Sequence, residues 1–176
     1  MSHFAAMIAR AENRWKGTDA DDVDLDKIDD IEQIVDIMRD ASIDDSPVVM
    51  FVEEDDEWFA VVRVDGTDEP RVFISDARVV AVSELAMAVF GDVASDEVAD
   101  VSEAIAEDED VRAEDDESPS VRPVPEPSGA ADLLADYGIS SQDLLNMCAE
   151  EGALPADVIT AICERLGCAD EIEVYR

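Results

Sequence analysis

An acidic, proline-rich stretch separates the chain into three parts. Residues 92–128 hold 14 acidic and two basic side chains, and four prolines fall between residues 119 and 127. Because like charges repel and proline donates no backbone hydrogen bond, such a stretch cannot bury a core of its own. We predict a disordered linker at 92–128, between an α+β domain at 1–91 and a small helical module at 129–176. The start of the linker, 92–106, is also compatible with one weak amphipathic helix.

Acidity extends over the whole chain. The sequence has 47 Asp and Glu against 12 Lys and Arg, which gives a formal net charge of −35 at pH 7. Nucleic acids and anionic membranes attract proteins through Lys and Arg side chains. The charge therefore argues against direct contact with either one. It favours a basic protein surface as partner, because opposite charges speed association and discourage wrong partners.

The chain has the pattern of a cytoplasmic protein. No apolar run approaches the roughly 18 residues that a membrane span requires. The first ten residues lack a basic leader before their short apolar run. The three cysteines Cys148, Cys163 and Cys168 cannot form a closed set of disulfides, which is typical of a reducing compartment.

The first segment alternates strand-like and helix-like patterns. Apolar residues recur every three or four positions over 27–41 and 77–90, which predicts two amphipathic helices. Five short apolar runs predict strands, at 4–9, 14–17, 48–52, 58–64 and 71–75. The run at 58–64 begins without alternation, as expected for a central strand covered on both faces. We predict an α+β fold in which two helices pack on a small antiparallel sheet.

The last segment has the pattern of three short helices. The first ends at Gly138, the second begins at a cap made by Ser140 or Ser141, and the third runs from Pro155 to Gly167. Cys148 and Cys163 fall on the apolar sides of successive helices. We interpret them as core residues, because zinc requires four closely spaced ligands and the chain has one histidine.

Motifs that would carry catalysis are absent. There is no Gly-x-Ser-x-Gly element and no glycine-rich phosphate loop. Carboxylates are abundant, but an open acidic run does not provide the pocket that separates the pKa values of a catalytic pair. We expect no catalytic residue, no cofactor and no metal site.

Three arginines stand out within the acidic first segment. Arg63 and Arg71 flank the turn at 65–70, so antiparallel pairing of the flanking strands would place them close together. Arg78 stands at the start of the second predicted helix. Guanidinium groups bind carboxylates and phosphates through paired hydrogen bonds, so these three residues are candidate contacts for an anion or a partner. The alternative is local ion pairing with neighbouring Asp and Glu side chains.

Four stretches of the two ordered segments form a distinctive combination. They are DEWFAVVRVDG at 56–66, PRVFISDA at 70–77, GALPAD at 152–157 and LGCADE at 166–171. The combination resembles the actinobacterial tRNA adenosine deaminase-associated proteins. These proteins are named for association with a tRNA-editing adenosine deaminase, and their family has no established catalytic residues. The resemblance therefore implies an accessory role.

The deaminase itself has a different signature. That zinc enzyme uses a His-x-Glu element and a Pro-Cys-x-x-Cys element to hold zinc and to move protons. Here Phe4 and Ala5 follow His3, and four residues separate Cys163 from Cys168. The zinc motifs are absent, and we expect no deaminase chemistry in this chain.

Three hypotheses for function remain open. The first is a non-enzymatic accessory or regulatory protein that binds a tRNA adenosine deaminase or another basic, RNA-handling partner. The second is a binding or enzymatic domain for a small anionic metabolite, held by Arg63 and Arg71. In the third, the acidity serves only solubility or salt tolerance.

Overall fold

A computed structural model describes residues 3–18, 23–91, 125–150 and 152–173. The predicted disordered linker lies outside the described residues over 92–124, and so does the alternative helix at 92–106. The predicted end of the linker at residue 128 was wrong, because Ser128 pairs with Ile74 in the sheet. No helix among the described residues has the length and apolar character of a membrane span.

The described residues form one antiparallel sheet of six strands in the order β2-β1-β3-β4-β5-β6. The strand bounds are His3–Ala11 for β1, Arg14–Thr18 for β2, Val48–Glu54 for β3, Trp58–Val64 for β4, Arg71–Ile74 for β5 and Ser128–Gly129 for β6. The five predicted runs are confirmed as strands. The sixth strand has only two residues, which is too short for any alternation of apolar residues to indicate it.

Strand β4 has the central position that its sequence predicts. It pairs with β3 on one side and with β5 on the other, and all of its residues are buried. At one edge of the sheet, β1 and β2 form a hairpin through the two-residue turn Glu12 and Asn13. Both turn residues have positive φ, as a tight turn between twisted antiparallel strands requires.

The N-terminal helices cover one face of the sheet. Helix α1 spans Ile31–Ala41, and helix α2 includes residues 84–91. Their apolar residues Ile34, Met38 and Val89 join a core cluster with alternate residues of the central strands, such as Met50 and Val62. The prediction of helices packed on an antiparallel sheet is therefore confirmed.

Both N-terminal helices start later than predicted. The predicted start of α1 at residue 27 was wrong because the Asp30 side chain accepts a hydrogen bond from the Gln33 backbone and caps the helix there. The predicted single helix at 77–90 was also wrong. Ala77–Ala81 forms a 3-10 turn, and α2 begins only after Ser83, whose hydroxyl accepts a hydrogen bond from the Ala86 backbone.

The C-terminal segment covers the opposite face of the sheet. Its helices are α3 at Ser141–Ala149, α4 at Pro155–Leu166 and α5 at Ala169–Glu173. Ile159 and Ile162 pack in one cluster with Phe51 and Phe73 of the sheet. The predicted first helix, which ends at Gly138, is a 3-10 turn at Ala135–Tyr137, and the sequence did not indicate α5. The division into domains at 1–91 and 129–176 stays a prediction, and the described residues of these two segments share this apolar cluster.

Two local predictions for the C-terminal segment are confirmed. Ser140 caps α3, with its hydroxyl 3.2 Å from the Asp143 backbone nitrogen, while the Asp143 carboxylate accepts a hydrogen bond from the Ser140 backbone at 3.1 Å. Cys163 lies in the core, and Cys148 packs against it. Burial raises the pKa of the Cys148 thiol to about 12, so the thiol stays protonated at neutral pH.

Replacing Gly129 by alanine tests the close approach of β6 to the sheet. A Cβ atom at Gly129, where φ is +90°, would lie 2.3 Å from the Val72 carbonyl oxygen. Gly152 is a matched control, because its φ is +82° and it has open space around it. Each substitution strains the backbone by about 1 kcal/mol. The clash at Gly129 adds roughly 1–3 kcal/mol.

Urea unfolding of Gly129→Ala and Gly152→Ala measures the difference. We expect a clearly larger loss of unfolding free energy for Gly129→Ala. Equal losses in the two variants would contradict the close contact between β6 and Val72.

Candidate functional site

A buried carboxylate lies at the end of β3. Glu54 is 9% exposed, and it accepts hydrogen bonds from three side chains. The Trp58 indole nitrogen is 2.8 Å from it, the Ser83 hydroxyl 2.6 Å and the His3 Nε2 atom 3.0 Å. These donors come from β4, from the start of α2 and from β1. Glu54 therefore joins three parts of the fold.

The order of these groups determines what they can do chemically. In a serine hydrolase, histidine lies between the serine and the carboxylate and takes the proton of the serine hydroxyl. Here the carboxylate lies between Ser83 and His3, and the Ser83 hydroxyl donates a hydrogen bond directly to Glu54. This arrangement stabilises a charge on Glu54, and it differs from the serine-histidine-carboxylate order of a serine hydrolase.

The hydrogen bonds keep Glu54 ionised. Burial by itself raises the pKa of this carboxyl group, but the hydrogen bonds from Ser83, Trp58 and His3 outweigh that effect and hold the pKa below its usual value. The site therefore keeps a fixed negative charge at neutral pH.

Two large apolar side chains project into solvent beside Glu54. Val82, in the break before α2, is 85% exposed, and Met87, one turn along α2, is 53% exposed. The break arises at Ser83, whose hydroxyl accepts a hydrogen bond from the Ala86 backbone at the start of α2 and donates a hydrogen bond to Glu54. The same hydroxyl thus fixes the path of the chain that leaves Val82 uncovered.

Val82 and Met87 border a cavity of about 770 Å³ that we name the acidic groove. Apolar residues of its wall include Leu25, Ile28, Val79 and Leu85. No Lys or Arg is among the described residues that line it, and the carboxylates along it are Asp29, Glu54, Asp55, Glu57 and Glu84. An apolar strip edged by negative charge suits a partner segment that is apolar on one side and basic on the other.

Arg63, the first of the sequence-predicted contact residues, is 6% exposed and lies away from the acidic groove. Its guanidinium binds the Asp136 carboxylate at 2.6 and 2.9 Å and donates to the Leu133 carbonyl oxygen at 2.6 Å. It also binds Asp65 and lies 4.8 Å from the centre of the Tyr137 ring. Burial disfavours the charged form, but the bonds to Asp136 and Asp65 prevail and raise the pKa of Arg63.

The other two predicted arginines also have carboxylate partners. Arg71 pairs with Arg63 across β4 and β5, as expected for an antiparallel hairpin, and its side chain binds Asp132 at 2.5 Å. Arg78 follows the opposite end of β5 and binds Asp76 at 2.8 Å. The structure therefore brings Arg63 and Arg71 together over residues 132–136 and places Arg78 elsewhere. All three form ion pairs within the chain.

Sequence reasoning missed the acidic groove. Its signal was present in residues 77–90, where only Arg78, Ser83 and Glu84 are polar. One helical face cannot bury that many apolar side chains, so some of them must meet solvent or a partner. The break at Ser83 determines which of these apolar side chains meet solvent. That break depends on Glu54, which is 29 residues from Ser83 in the sequence.

Metal ligands do not converge in the described part of the chain. No group of three or more His, Cys, Asp or Glu side chains there is placed to hold a metal ion.

These features define an acidic α+β protein whose antiparallel sheet is covered by helices on both faces. A family profile described as Rv3753c-like tRNA adenosine deaminase-associated protein matches residues 3–169, and the chain belongs to this family. The resemblance carried by the four sequence stretches is thereby confirmed. No curated protein and no solved structure matches the chain.

Replacing Glu54 by glutamine tests the buried carboxylate. At neutral pH we expect the unfolding free energy to fall by about 2 kcal/mol, because a charged acceptor of several hydrogen bonds is lost. The pKa of Glu54 is lower in the folded state than in the unfolded state, where it is about 4.3. The stabilisation is therefore complete above that value and is lost as the pH falls through the folded-state pKa.

Urea unfolding of the wild-type protein and Glu54→Gln over a pH series measures this effect. The difference between them should shrink below about pH 4. Glu57→Gln, at an exposed carboxylate of the same groove, serves as the control for the general loss of one negative charge. A difference for Glu54→Gln that persists unchanged into strong acid would contradict the role of the ionised carboxylate.

Proposed function

We propose that this protein is a non-enzymatic accessory protein that binds a tRNA adenosine deaminase or another basic, RNA-handling partner. Membership of the tRNA adenosine deaminase-associated family is the observation that carries this proposal. The name of the family describes association with the deaminase. The geometry around Glu54 supports the non-enzymatic part, because His3 does not lie between Ser83 and the carboxylate, as the order of a serine hydrolase requires.

The acidic groove is the surface that we assign to the partner. Val82 and Met87 lose contact with water when a partner covers them, and burial of such a side chain is worth about 1.5–3 kcal/mol. The surrounding carboxylates attract Lys and Arg on the partner and oppose association with acidic proteins. The groove thus provides affinity through its apolar strip and selectivity through its charge.

Charge also affects how partners meet. The chain carries a net charge of −35, which attracts a basic protein over a distance and raises the association rate at low salt. A partner that uses a basic face for RNA would expose that face to this protein whenever RNA is absent. Binding of the accessory protein would then compete with binding of tRNA.

A salt series with purified tRNA adenosine deaminase tests the proposal. We expect a complex at low salt whose dissociation constant rises steeply with ionic strength, because exposed charges are screened over about 10 Å at 0.1 M salt. The double variant Val82→Ser/Met87→Ser should bind at least tenfold more weakly, because the apolar strip is lost. Affinity is measured by titration calorimetry.

Ile43→Ser/Leu154→Ser is the matched control. Ile43 and Leu154 are 42% and 41% exposed and lie outside the groove, so this double variant should bind like the wild-type protein. A complex that does not form, or whose affinity is indifferent to salt, would count against the proposal. Equal weakening by both double variants would place the interface away from the groove.

A further inference from the structure

The hairpin of β1 and β2 differs in charge from the rest of the molecule. Residues 3–18 include Arg10, Arg14 and Lys16 and a single acidic residue, Glu12. The other described segments have more acidic than basic side chains. A chain with a net charge of −35 therefore has one edge of its sheet with local positive charge.

The basic side chains of the hairpin also differ in their partners. In the described part of the chain, no carboxylate forms an ion pair with Arg10, Arg14 or Lys16. Carboxylates are abundant in this protein, so pairing is not limited by their supply. Of the six other basic residues in the described part of the chain, Arg39 donates to backbone carbonyl oxygens, and five form ion pairs with carboxylates, namely Lys27, Arg63, Arg71, Arg78 and Arg165.

Aromatic rings hold Arg10 in place. Its guanidinium carbon lies 4.6 Å from the centre of the Tyr137 ring and 5.5 Å from that of Trp15, and the two rings pack edge to face. One guanidinium nitrogen donates to the Asn13 side chain. A guanidinium has five N–H donors, so Arg10 keeps donors for a ligand in a fixed orientation.

A cavity of about 540 Å³ lies beside Arg10, with Arg14, Trp15 and Tyr137 also in its wall. Two carboxylates line the cavity as well, but both already accept hydrogen bonds. Asp136 binds Arg63, and Glu171 accepts a hydrogen bond from the Gly17 backbone at 2.9 Å. Among the described residues, the charged groups of this cavity that form no ion pair are thus Arg10, Arg14 and Glu171, so that two guanidinium groups face one carboxylate without a cationic partner.

We propose that this cavity binds a phosphate group carried by a nucleotide-sized organic ligand. Two guanidinium groups match the charge and the paired acceptor oxygens of a phosphate dianion. The volume lies within the range of about 300–1,000 Å³ that is typical of small-molecule sites, so it leaves room for an organic part beside the aromatic walls.

The phosphate has two possible sources, a free nucleotide and an RNA strand. The net charge of the protein repels a long polyanion more than a small one, which favours the free nucleotide. This site is distinct from the acidic groove, which shares none of the residues that line it. The proposal therefore stands independently of partner binding.

Titration calorimetry on the full chain tests the site with adenosine 5′-monophosphate, adenosine and inorganic phosphate. We expect the monophosphate to bind and adenosine to give no heat. Arg14→Gln should weaken binding at least tenfold. Arg14 forms no ion pair or ring contact among the described residues, so this change leaves the fold intact. Arg10→Gln should weaken binding as well, and its melting temperature shows whether loss of the ring contacts affects folding.

Lys27→Gln is the control, because it removes one positive charge outside the cavity. It should bind the monophosphate like the wild-type protein. The proposal is overturned if neither the monophosphate nor inorganic phosphate binds at millimolar concentration, if adenosine binds as tightly as its monophosphate, or if Arg14→Gln binds unchanged.

A short single-stranded RNA distinguishes the two sources of phosphate. If the RNA binds more tightly than the monophosphate and depends on Arg14 in the same way, the natural ligand is the phosphate of an RNA strand. Equal or tighter binding of the monophosphate assigns it to a free ligand. Either result supports a phosphate site at the hairpin.

Discussion

The central strands of the sheet are apolar on both faces, and the rest of the fold follows from the need to cover them. Every residue of β3 and β4 is buried, with alternate side chains on opposite sides. Leaving Phe51, Phe59 and Val61 in water would cost the transfer free energy of three large apolar side chains. Helices from the first segment cover one face, and helices from the last segment cover the other.

Buried charges determine how these covering segments attach. A charge that leaves water must recover its hydration energy from hydrogen bonds, or the group does not remain ionised. Arg63 recovers it from residues 133–136, which bind the C-terminal segment to β4. Glu54 recovers it from β1, β4 and the start of α2. The predicted contact residue Arg63 is thus part of the internal structure in this fold.

The two surfaces that we assign to ligands differ in charge, because arginines line only the hairpin cavity, and they belong to opposite faces of the sheet. The acidic groove includes Leu25, Trp58 and Leu85 of the cluster beneath α1 and α2. The hairpin cavity includes Trp15 and Tyr137, which pack in the cluster beneath the C-terminal helices. A phosphate in the cavity would therefore leave the groove open to a protein partner.

Local sequence patterns were sufficient for much of this structure. The α+β class, five of the six strands and the cap at Ser140 are determined by neighbouring residues, through alternation, helical spacing and side-chain to backbone bonds. Four short stretches of the sequence also indicated the family to which the chain belongs. The net charge pointed to a basic partner, which remains a proposal.

Contacts between distant residues decided the rest. Arg63 and Asp136 are 73 positions apart, and nothing near either residue in the sequence indicates that they pair. The break before α2 depends on Glu54, and the exposure of Val82 follows from that break. The hairpin cavity likewise requires Arg10 and Tyr137, which are far apart in the sequence. The sequence by itself determined which elements form, because those signals are local. Only the tertiary structure decided which charges are neutralised inside and which remain for a ligand, because ion pairing depends on distance in space.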